Sequence, residues 1–267
     1  MSASDHAQMS PARRAWLRFR RHRLGFASLV LFTVLFVLSL GAELLSNDRP
    51  LLARYEGRWY FPVVQTLPET VFGGDFETPT DWLDPFIEQQ FHKDGNWALH
   101  APNRYHHATL DYFAPTPNPA PPSARNWLGT DDRGRDVLAR LLYGFRISIL
   151  FALVLTAIGV VLGVITGAIQ GFFVGKTDLV FQRFIEIWSA MPELYLLIIF
   201  SAVFEPSVAL LLVLLSLFGW MGLSDYVRAE FLRNRQLDYV KSARALGLSN
   251  WTIIWRHVLP NSMTPVV

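Results

Sequence analysis

Few residues in this 267-residue sequence have the types and spacing that catalysis requires. Cysteine is absent, which excludes thiolate nucleophiles and disulfides, and no glycine-rich loop ending in Lys and Ser or Thr cradles a phosphate. His106 and His107 could suggest a metal site, but adjacent residues rarely point at one ion and no nearby paired carboxylate completes it. The apolar runs contain no histidine for a proton relay. We therefore predict that the chain is not an enzyme and binds no metal.

The residue best suited to a role inside a membrane is Glu193, which lies in the apolar run 181–204 beside Pro192, the residue predicted to interrupt this run. At ~1.5 Å rise per residue, it would lie roughly 18 Å from the cytoplasmic end of a helix over this run. A carboxylate at that depth is costly and usually faces the interior of a helix bundle. Glu193 is a candidate for the polar wall of a translocation path, or else a structural partner for a group on another helix or subunit. Arg183 and Glu186 are expected to form an intrahelical ion pair.

Composition and charge place these residues in a membrane protein. The chain is 51% hydrophobic and only 17% charged, which is too apolar for soluble domains. The sequence pI of about 9.0 comes from basic residues beside the apolar runs, where they act as topology signals and argue against nucleic-acid binding. The arginine-rich tail 1–23 is predicted to be cytoplasmic. The run 24–45 is predicted to be a first transmembrane helix, because it exceeds the ~7–15 apolar residues of a signal peptide.

The rest of the chain alternates between one long polar segment and further apolar runs. Residues 46–146 are predicted to be periplasmic, with a proline-rich linker at 114–123, an amphipathic helix near 131–145 and an otherwise open fold. Three more transmembrane helices are predicted, at 147–174, 181–204 and 207–223. Four crossings return the chain to the cytoplasm, and the excess of basic residues in the loop 225–261 agrees with that side.

The second predicted transmembrane helix carries a stripe of small residues. Glycines recur every four residues, at Gly159, Gly163, Gly167, Gly171 and Gly175. This spacing places them along nearly one face of an α-helix, where they allow another helix to approach closely. The stripe is predicted to be a packing device without a catalytic role.

The most informative segment is Asp238–Asn261, with the sequence DYVKSARALGLSNWTIIWRHVLPN. A short helix should end at Gly247, which tolerates the left-handed conformation of a helix stop, and Ser249 suits the N-cap of a second short helix. Two small residues, Ser242 and Ala243, leave room for a partner to approach closely. Leu246 and Leu248 offer apolar anchors beside basic residues. The segment is predicted to be a cytoplasmic helix-turn-helix that docks a soluble partner.

This segment resembles the cytoplasmic loop of permease subunits in binding-protein-dependent ABC importers, which has a Glu-Ala-Ala start, a Gly and a terminal Leu-Pro. Gly247 and Leu259-Pro260 match that pattern, whereas Lys241 stands where the family has Glu. The resemblance implies that the loop is a coupling helix seated in a groove of the ATP-hydrolysing subunit. It assigns this role to Lys241, Ser242, Ala243, Leu246, Gly247, Leu248, Leu259 and Pro260.

A second stretch, Trp127–Arg140, is similar to the segment before the core helices in the second permease subunit of dipeptide, oligopeptide and nickel importers. The aromatic-rich outer segment and the run Asp48–Pro62 resemble one subgroup, the Yej-type permeases linked to peptide and microcin C uptake. The resemblance implies an all-α, polytopic transmembrane helix bundle of the ABC importer permease type, with an extracytoplasmic insertion, in the bacterial inner membrane.

The resemblance also implies partners and a function. The partners are a second permease subunit, two ABC ATPase subunits that bind ATP and Mg²⁺, and a periplasmic substrate-binding protein. This chain would bind no cofactor itself, and the implied function is ATP-driven import of peptides. The alternatives are a nickel importer permease and a membrane-anchored periplasmic sensor, although a sensor has no use for the coupling loop. Because 262–267 resumes apolar character, about two further transmembrane helices are expected beyond it, unless the chain is a short natural variant.

Overall fold

The structure of the protein, a computed structural model, describes residues 11–112 and 116–262. Parts of three predicted segments lie outside these residues: the start of the tail 1–23, the first two residues of the linker 114–123, and all of 262–267 except Ser262. The chain divides into two compact units, of which the first ends at Ile149 and the second begins at Leu150.

Helices dominate the described residues, as the predicted fold class requires. The first unit contains α1 (Pro11–Arg21), α2 (Arg23–Leu40), α3 (Ala42–Leu45), β1 (Leu52–Tyr55), β2 (Arg58–Tyr60), α4 (Pro85–Phe91) and β3 (Trp97–Leu99). The long helix α5 (Val137–Phe173) continues into the second unit. There it is followed by α6 (Lys176–Ser189), α7 (Glu193–Val203), α8 (Val208–Ser216), α9 (Met221–Asn234), α10 (Asp238–Ala245) and α11 (Asn250–Thr252).

The segment 46–146, which is predicted to be periplasmic, folds into a small lobe of helices and strands. We call it the outer lobe after that prediction. Its antiparallel sheet has the strand order β2-β1-β3, and strands of three or four residues are too short to leave a clear alternating pattern. Tyr55, Phe72, Trp82 and Ile87 form its buried core. The ring centroid of Phe72 lies 4.9 Å from that of Trp82 and 5.4 Å from that of Tyr55. Buried area and edge-to-face ring contacts therefore stabilise the lobe as they stabilise a soluble domain.

Hydrogen bonds hold the two ends of this lobe together. The hydroxyl of Tyr143 donates to the carbonyl of Ser46 at 2.9 Å, and the Ser46 hydroxyl donates to the carbonyl of Tyr105 at 2.7 Å. The amide of Asn103 donates to the Ser46 hydroxyl at 3.0 Å and to the Asp136 carboxylate at 2.8 Å. We call Ser46, Asn103, Asp136 and Tyr143 the neck, because the chain enters and leaves the lobe there.

The buried carboxylate of Asp136 also begins α5. It accepts a hydrogen bond from the backbone N–H of Ala139 at 2.7 Å and another from the side chain of Asn126 at 3.0 Å. A carboxylate at this position satisfies backbone donors that the first helical turn leaves unpaired. Asp136 thus links the fold of the lobe to the start of the longest helix.

The start of α5 corrects two predicted boundaries. An amphipathic helix near 131–145 does not stand apart from a transmembrane helix at 147–174, because α5 is one unbroken helix. Two basic residues of this part of α5 are paired with acidic residues of the first unit. Arg146 donates to both carboxylate oxygens of Glu43, at 2.8 and 2.9 Å, and Arg140 pairs with Asp131. The helix therefore passes through this charged stretch without a break.

Three helical stretches in the described residues are long and apolar enough to cross a membrane: Arg23–Leu40, Val137–Phe173 and Val208–Asn234. The pair α6 and α7 would add a fourth if the two helices form one span. They are bent by 66° at a short break that contains Pro192, which lacks the backbone N–H that a continuous helix needs. The predicted interruption of this span is therefore a sharp bend.

Two further predicted boundaries differ from the structure. The predicted span 24–45 is divided at Gly41 into α2 and α3. The predicted span 207–223 and the cytoplasmic loop from residue 225 are not separated there, because α9 continues to Asn234. The sequence predicts a loop from residue 225 because charged residues begin there. In the structure these residues lie on one face of α9, whose other face is buried.

Candidate functional site

The helix-turn-helix predicted at 238–261 is present. α10 is followed by Gly247 with φ of +75°, and Ser249 Oγ accepts the backbone N–H three residues later at 3.2 Å. The predicted helix stop and N-cap are both confirmed. After α11 the chain forms a π-helical turn, Ile253–Val258, and a short 3-10 turn, Leu259–Asn261.

One face of this segment belongs to the core of the second unit. The buried cluster combines Val164, Ala168 and Phe172 of α5, Val227 and Phe231 of α9, Val240 and Ala243 of α10, and Ile253, Ile254 and Val258. Leu259 packs against the same cluster. The prediction that Ala243 leaves room for a partner is corrected, because this side chain points into the core and lets α10 lie close to its neighbours. Shared apolar burial ties the segment to α5 and α9.

The opposite face of the segment is exposed. Leu246 is 80% exposed and Leu248 also lies at the surface, as do the predicted residues Lys241, Ser242, Gly247 and Pro260. Trp251 and Trp255 are 54% and 44% exposed, and we did not predict them as part of the site. Their spacing of four residues on one helical face was the available signal. Large apolar side chains that are exposed together mark an interaction surface for a protein or a membrane.

The charges on this surface are only weakly engaged within the chain. Lys241 Nζ lies 3.3 Å from Asp238 Oδ1, and an exposed ion pair of this kind contributes little to stability. The guanidinium of Arg244 lies 4.9 Å from the centre of the Phe172 ring, so this cation covers the edge of the core. Lys241 is therefore available to an acidic group on a partner.

The glycine stripe is the contact surface between α5 and α9. A Cβ atom at Gly163 would lie 3.0 Å from the carbonyl of Trp220, one at Gly167 2.5 Å from the carbonyl of Ser224, and one at Gly171 2.5 Å from Phe231 Cβ. Gly159 continues the stripe with a looser contact of 3.7 Å to Gly219. Gly175 is corrected: it follows the end of α5, has φ of +60° and would meet nothing within 4 Å. It supports a turn and is not part of the packing surface.

Glu193 lies in the first turn of α7, directly after the bend. It is partly buried, and no described residue forms a hydrogen bond or ion pair with it. A carboxylate is favoured at a helix N-terminus, which is a structural reason for its place. Its role in a translocation path stays a prediction. The predicted intrahelical pair is confirmed, with Arg183 Nη1 2.5 Å from Glu186 Oε2.

The two histidine rings of the outer lobe are in contact, with their planes tilted by 50°. The ring centroids of His106 and His107 are 4.0 Å apart, and they lie 4.7 and 4.8 Å from the ring of Tyr143. Burial lowers the pKa of His106, and the neighbouring His107 lowers it further. The pair therefore packs against the neck of the lobe.

These observations define a polytopic membrane protein that exposes one face of a helix-turn-helix. A family described as the binding-protein-dependent transport system inner membrane component matches residues 139–267, which include the glycine stripe and the segment 238–261. A second family, the N-terminal TM domain of oligopeptide transport permease C, matches residues 10–57.

Two relatives match nearly the whole chain, and a third matches about half of it. The inner membrane ABC transporter permease protein YejE of Escherichia coli is 51% identical over 258 residues, which cover 96% of this chain and 75% of that protein. The peptidoglycan transport system permease protein YejE of Agrobacterium fabrum is 45% identical, covering 94% and 72%. The dipeptide transport system permease protein DppC of Bacillus subtilis is 34% identical, covering 55% and 46%.

The chain belongs to the family of inner-membrane permease subunits of binding-protein-dependent ABC transporters. It is therefore a transport subunit of an ABC transporter complex and not itself an enzyme.

Proposed function

We propose that the chain is one of two permease subunits of an importer that uses ATP to carry peptides into the cell. The observation that carries this proposal is the exposed face of the helix-turn-helix. We call Lys241, Ser242, Leu246, Gly247, Leu248, Trp251 and Trp255 the coupling surface. It offers apolar and aromatic side chains on a segment whose opposite face shares a core with α5 and α9.

This arrangement supports a mechanical role. An ATPase subunit that binds the coupling surface and closes around ATP would displace the helix-turn-helix. Because that segment shares a buried core with α5 and α9, these two helices would be displaced with it. The partners in this proposal are a second permease subunit, two ATPase subunits that bind ATP and Mg²⁺, and a substrate-binding protein outside the membrane. Lys241, where the family has Glu, calls for an acidic residue in the groove of the ATPase.

The relatives support peptides as the substrate class. Two of the similar permeases are named for dipeptide and oligopeptide transport, and one is named for peptidoglycan transport. The test is uptake into proteoliposomes that contain this chain with its partner permease, ATPases and binding protein. ATP-dependent accumulation of a labelled tripeptide is expected. Accumulation of Ni²⁺ without any tripeptide would overturn the peptide assignment in favour of a nickel permease.

The coupling role is tested by Gly247→Val in the same complex. Gly247 has φ of +75°, so a β-branched residue would be strained there although no atom lies within 4 Å. We expect uptake to fall by about tenfold or more, since a misplaced coupling surface loses ~1.4 kcal/mol or more of coupling free energy.

The matched control is Gly95→Val. Gly95 lies in a turn of the outer lobe, has φ of +83° and is equally open, so it suffers the same backbone strain far from the coupling surface in sequence. Uptake should stay within about twofold of wild type. Equal loss of uptake in both variants, or none in Gly247→Val, would remove Gly247 from the coupling mechanism.

A further inference from the structure

Helix α6 lies outside the apolar core that joins the helix-turn-helix to α5 and α9, since that core contains no described residue of α6. Yet α6 leads into the 66° bend and then into α7, which begins at Glu193. If movement of the coupling surface is to reach this bent pair, other contacts must carry it.

One such contact is an ion pair between α6 and α9. The guanidinium of Arg228 donates from Nε to Asp178 Oδ1 at 2.5 Å and from Nη2 to Asp178 Oδ2 at 2.7 Å. Both side chains are mostly buried, at 28% and 14% exposure. A two-pronged guanidinium–carboxylate contact fixes orientation as well as distance. Asp178 therefore holds the first turn of α6 against the helix that packs on the glycine stripe.

A second contact lies one turn further along α6. Gln182 Nε2 donates to Gln170 Oε1 at 2.9 Å, and Gln170 Nε2 donates to Ser224 Oγ at 3.0 Å. Gln170 and Ser224 are completely buried. Buried amide groups must keep their hydrogen bonds, since an unpaired one loses the free energy of its desolvation. One glutamine thus joins α5, α6 and α9.

The turn between α5 and α6 is strained. Val174 has φ of +58° and is followed by Gly175 with φ of +60°. A β-branched residue in this region is unfavourable and persists only where the surroundings enforce it. The ion pair of Asp178 with Arg228 and the hydrogen bond of Gln182 with Gln170 supply such enforcement. They hold α6 in a position that the turn alone would not favour.

We propose that Gln170, Asp178, Gln182 and Arg228, here called the polar bridge, carry displacement of the coupling surface to the bent helices α6 and α7. Asp178 and Gln182 act in this proposal as positioning residues, because they make α6 follow α5 and α9. The inference rests on the proposed coupling role. It adds that the apolar core alone cannot move the bend before Glu193.

The test compares Asp178→Asn with Glu186→Gln in the reconstituted complex. Glu186 provides the matched control because its ion pair with Arg183 lies within the same helix, is exposed and joins no second helix. The measured quantity is the number of peptides transported per ATP hydrolysed. We expect it to fall by about fivefold or more in Asp178→Asn, the lower range of coupling effects, and to be unchanged in Glu186→Gln.

Exchange of the pair provides the rescue. Asp178→Arg combined with Arg228→Asp should restore the ratio to within about twofold of wild type, because the same contact forms with its charges reversed. A purely structural role for Asp178 would lower complex yield and would not change the ratio in the complex that does assemble. Failure of the exchange to restore a lowered ratio overturns the assignment to this pair.

Further outcomes decide the remaining cases. An unchanged ratio in Asp178→Asn, or an equal fall in Glu186→Gln, overturns the proposal. If Asp178→Asn does not assemble, Gln182→Leu is measured instead, and an unchanged ratio there overturns it. Normal transport per ATP in both bridge variants with loss in Gly247→Val would reject the bridge and leave the coupling role intact. Normal transport in Gly247→Val would instead remove Gly247 from the coupling mechanism, whatever the result for the bridge variants.

Discussion

The outer lobe and the second unit are stabilised in opposite ways. The lobe has a core of large aromatic side chains, with Phe72 fully buried among Tyr55 and Trp82. The second unit brings α5 and α9 together at glycines, where even one added carbon atom would lie within 3.0 Å of the neighbouring helix at Gly163, Gly167 and Gly171. The stability of the lobe depends on the burial of large side chains. The packing of α5 against α9 depends on glycines that have no side chain to keep the helices apart.

This difference reflects the surroundings in which each part folds. In the predicted topology the lobe lies in water, which drives large apolar side chains together, so lost side-chain volume is the most harmful change there. Lipid provides little such drive between helices, and close approach with van der Waals contact takes its place. The lobe should therefore be most sensitive to truncated side chains, and the second unit to enlarged ones.

The largest expected effect is that of Gly167→Leu. Its Cβ atom would lie 2.5 Å from the carbonyl of Ser224 and 2.8 Å from Val227 Cβ, and a backbone atom cannot give way as a flexible side chain can. We expect a loss of at least ~4 kcal/mol, at the exceptional end for one substitution. It would appear as failure to recover a monodisperse protein in detergent.

Gly222→Leu is the control for this change. Gly222 lies in α9 itself, and a Cβ atom there would meet nothing within 4 Å. Leucine also favours the helix over glycine by about 0.5–1 kcal/mol. Its thermal midpoint should equal or exceed that of wild type. A normal midpoint for Gly167→Leu would mean that α5 and α9 do not pack as described.

The next effect is the truncation Phe72→Ala in the outer lobe. Removing a fully buried ring should cost about 3–4 kcal/mol through lost burial and the cavity left behind. Urea unfolding of the lobe, followed by tryptophan fluorescence in the full chain, measures the loss. Phe76→Ala removes the same ring from a site that is 64% exposed, and should change stability by less than ~0.5 kcal/mol. Equal losses would contradict the assigned core.

The smallest effect is a pH dependence that belongs to the lobe alone. Burial, aided by the charge of Arg104, lowers the pKa of His100 from 6.5 to about 4. Between these values the unfolded chain binds a proton that the folded lobe does not, so stability is full above about pH 6.5 and declines as the pH falls toward 4.

Urea midpoints of the lobe measured from pH 7 down to pH 4 test this dependence. His100→Gln should flatten the decline. His92→Gln, which changes an exposed histidine on the same lobe, should leave it as it is. A decline that persists unchanged in His100→Gln would assign the pH dependence to other groups.

The sequence predicted what depends on local chemistry and missed what depends on tertiary contacts. Gly247 and Ser249 were identified because a helix stop and an N-cap need those residue types at those positions. The spacing of glycines predicted close packing, although Gly175 shares the period without sharing the helix. The sequence does not predict the fold of the lobe, because its strands are too short to show alternation of apolar and polar residues.

Orientation and partner choice were beyond a single sequence. Ala243 was placed on the surface of the coupling segment because its small size suits either a docking face or a crowded core, and only packing decides between them. The spacing of Trp251 and Trp255 places them on one helical face, but only the packing of the segment shows that this face is exposed. The contacts of Gln170 with Gln182, and of Asp178 with Arg228, join residues of different helices that no local pattern connects.

The neck of the outer lobe has a consequence for how this part of the molecule can vary. Tyr143 hydrogen-bonds Ser46 across a sequence separation of 97 residues, so the entry and exit of the lobe are neighbours. An insertion whose ends already touch can be lengthened, shortened or exchanged without altering the distance that its flanking chain must bridge. The lobe is in this sense a replaceable module, and a replacement that supplies the hydrogen bonds of Asn103 and Asn126 to Asp136 would leave α5 with the same starting point.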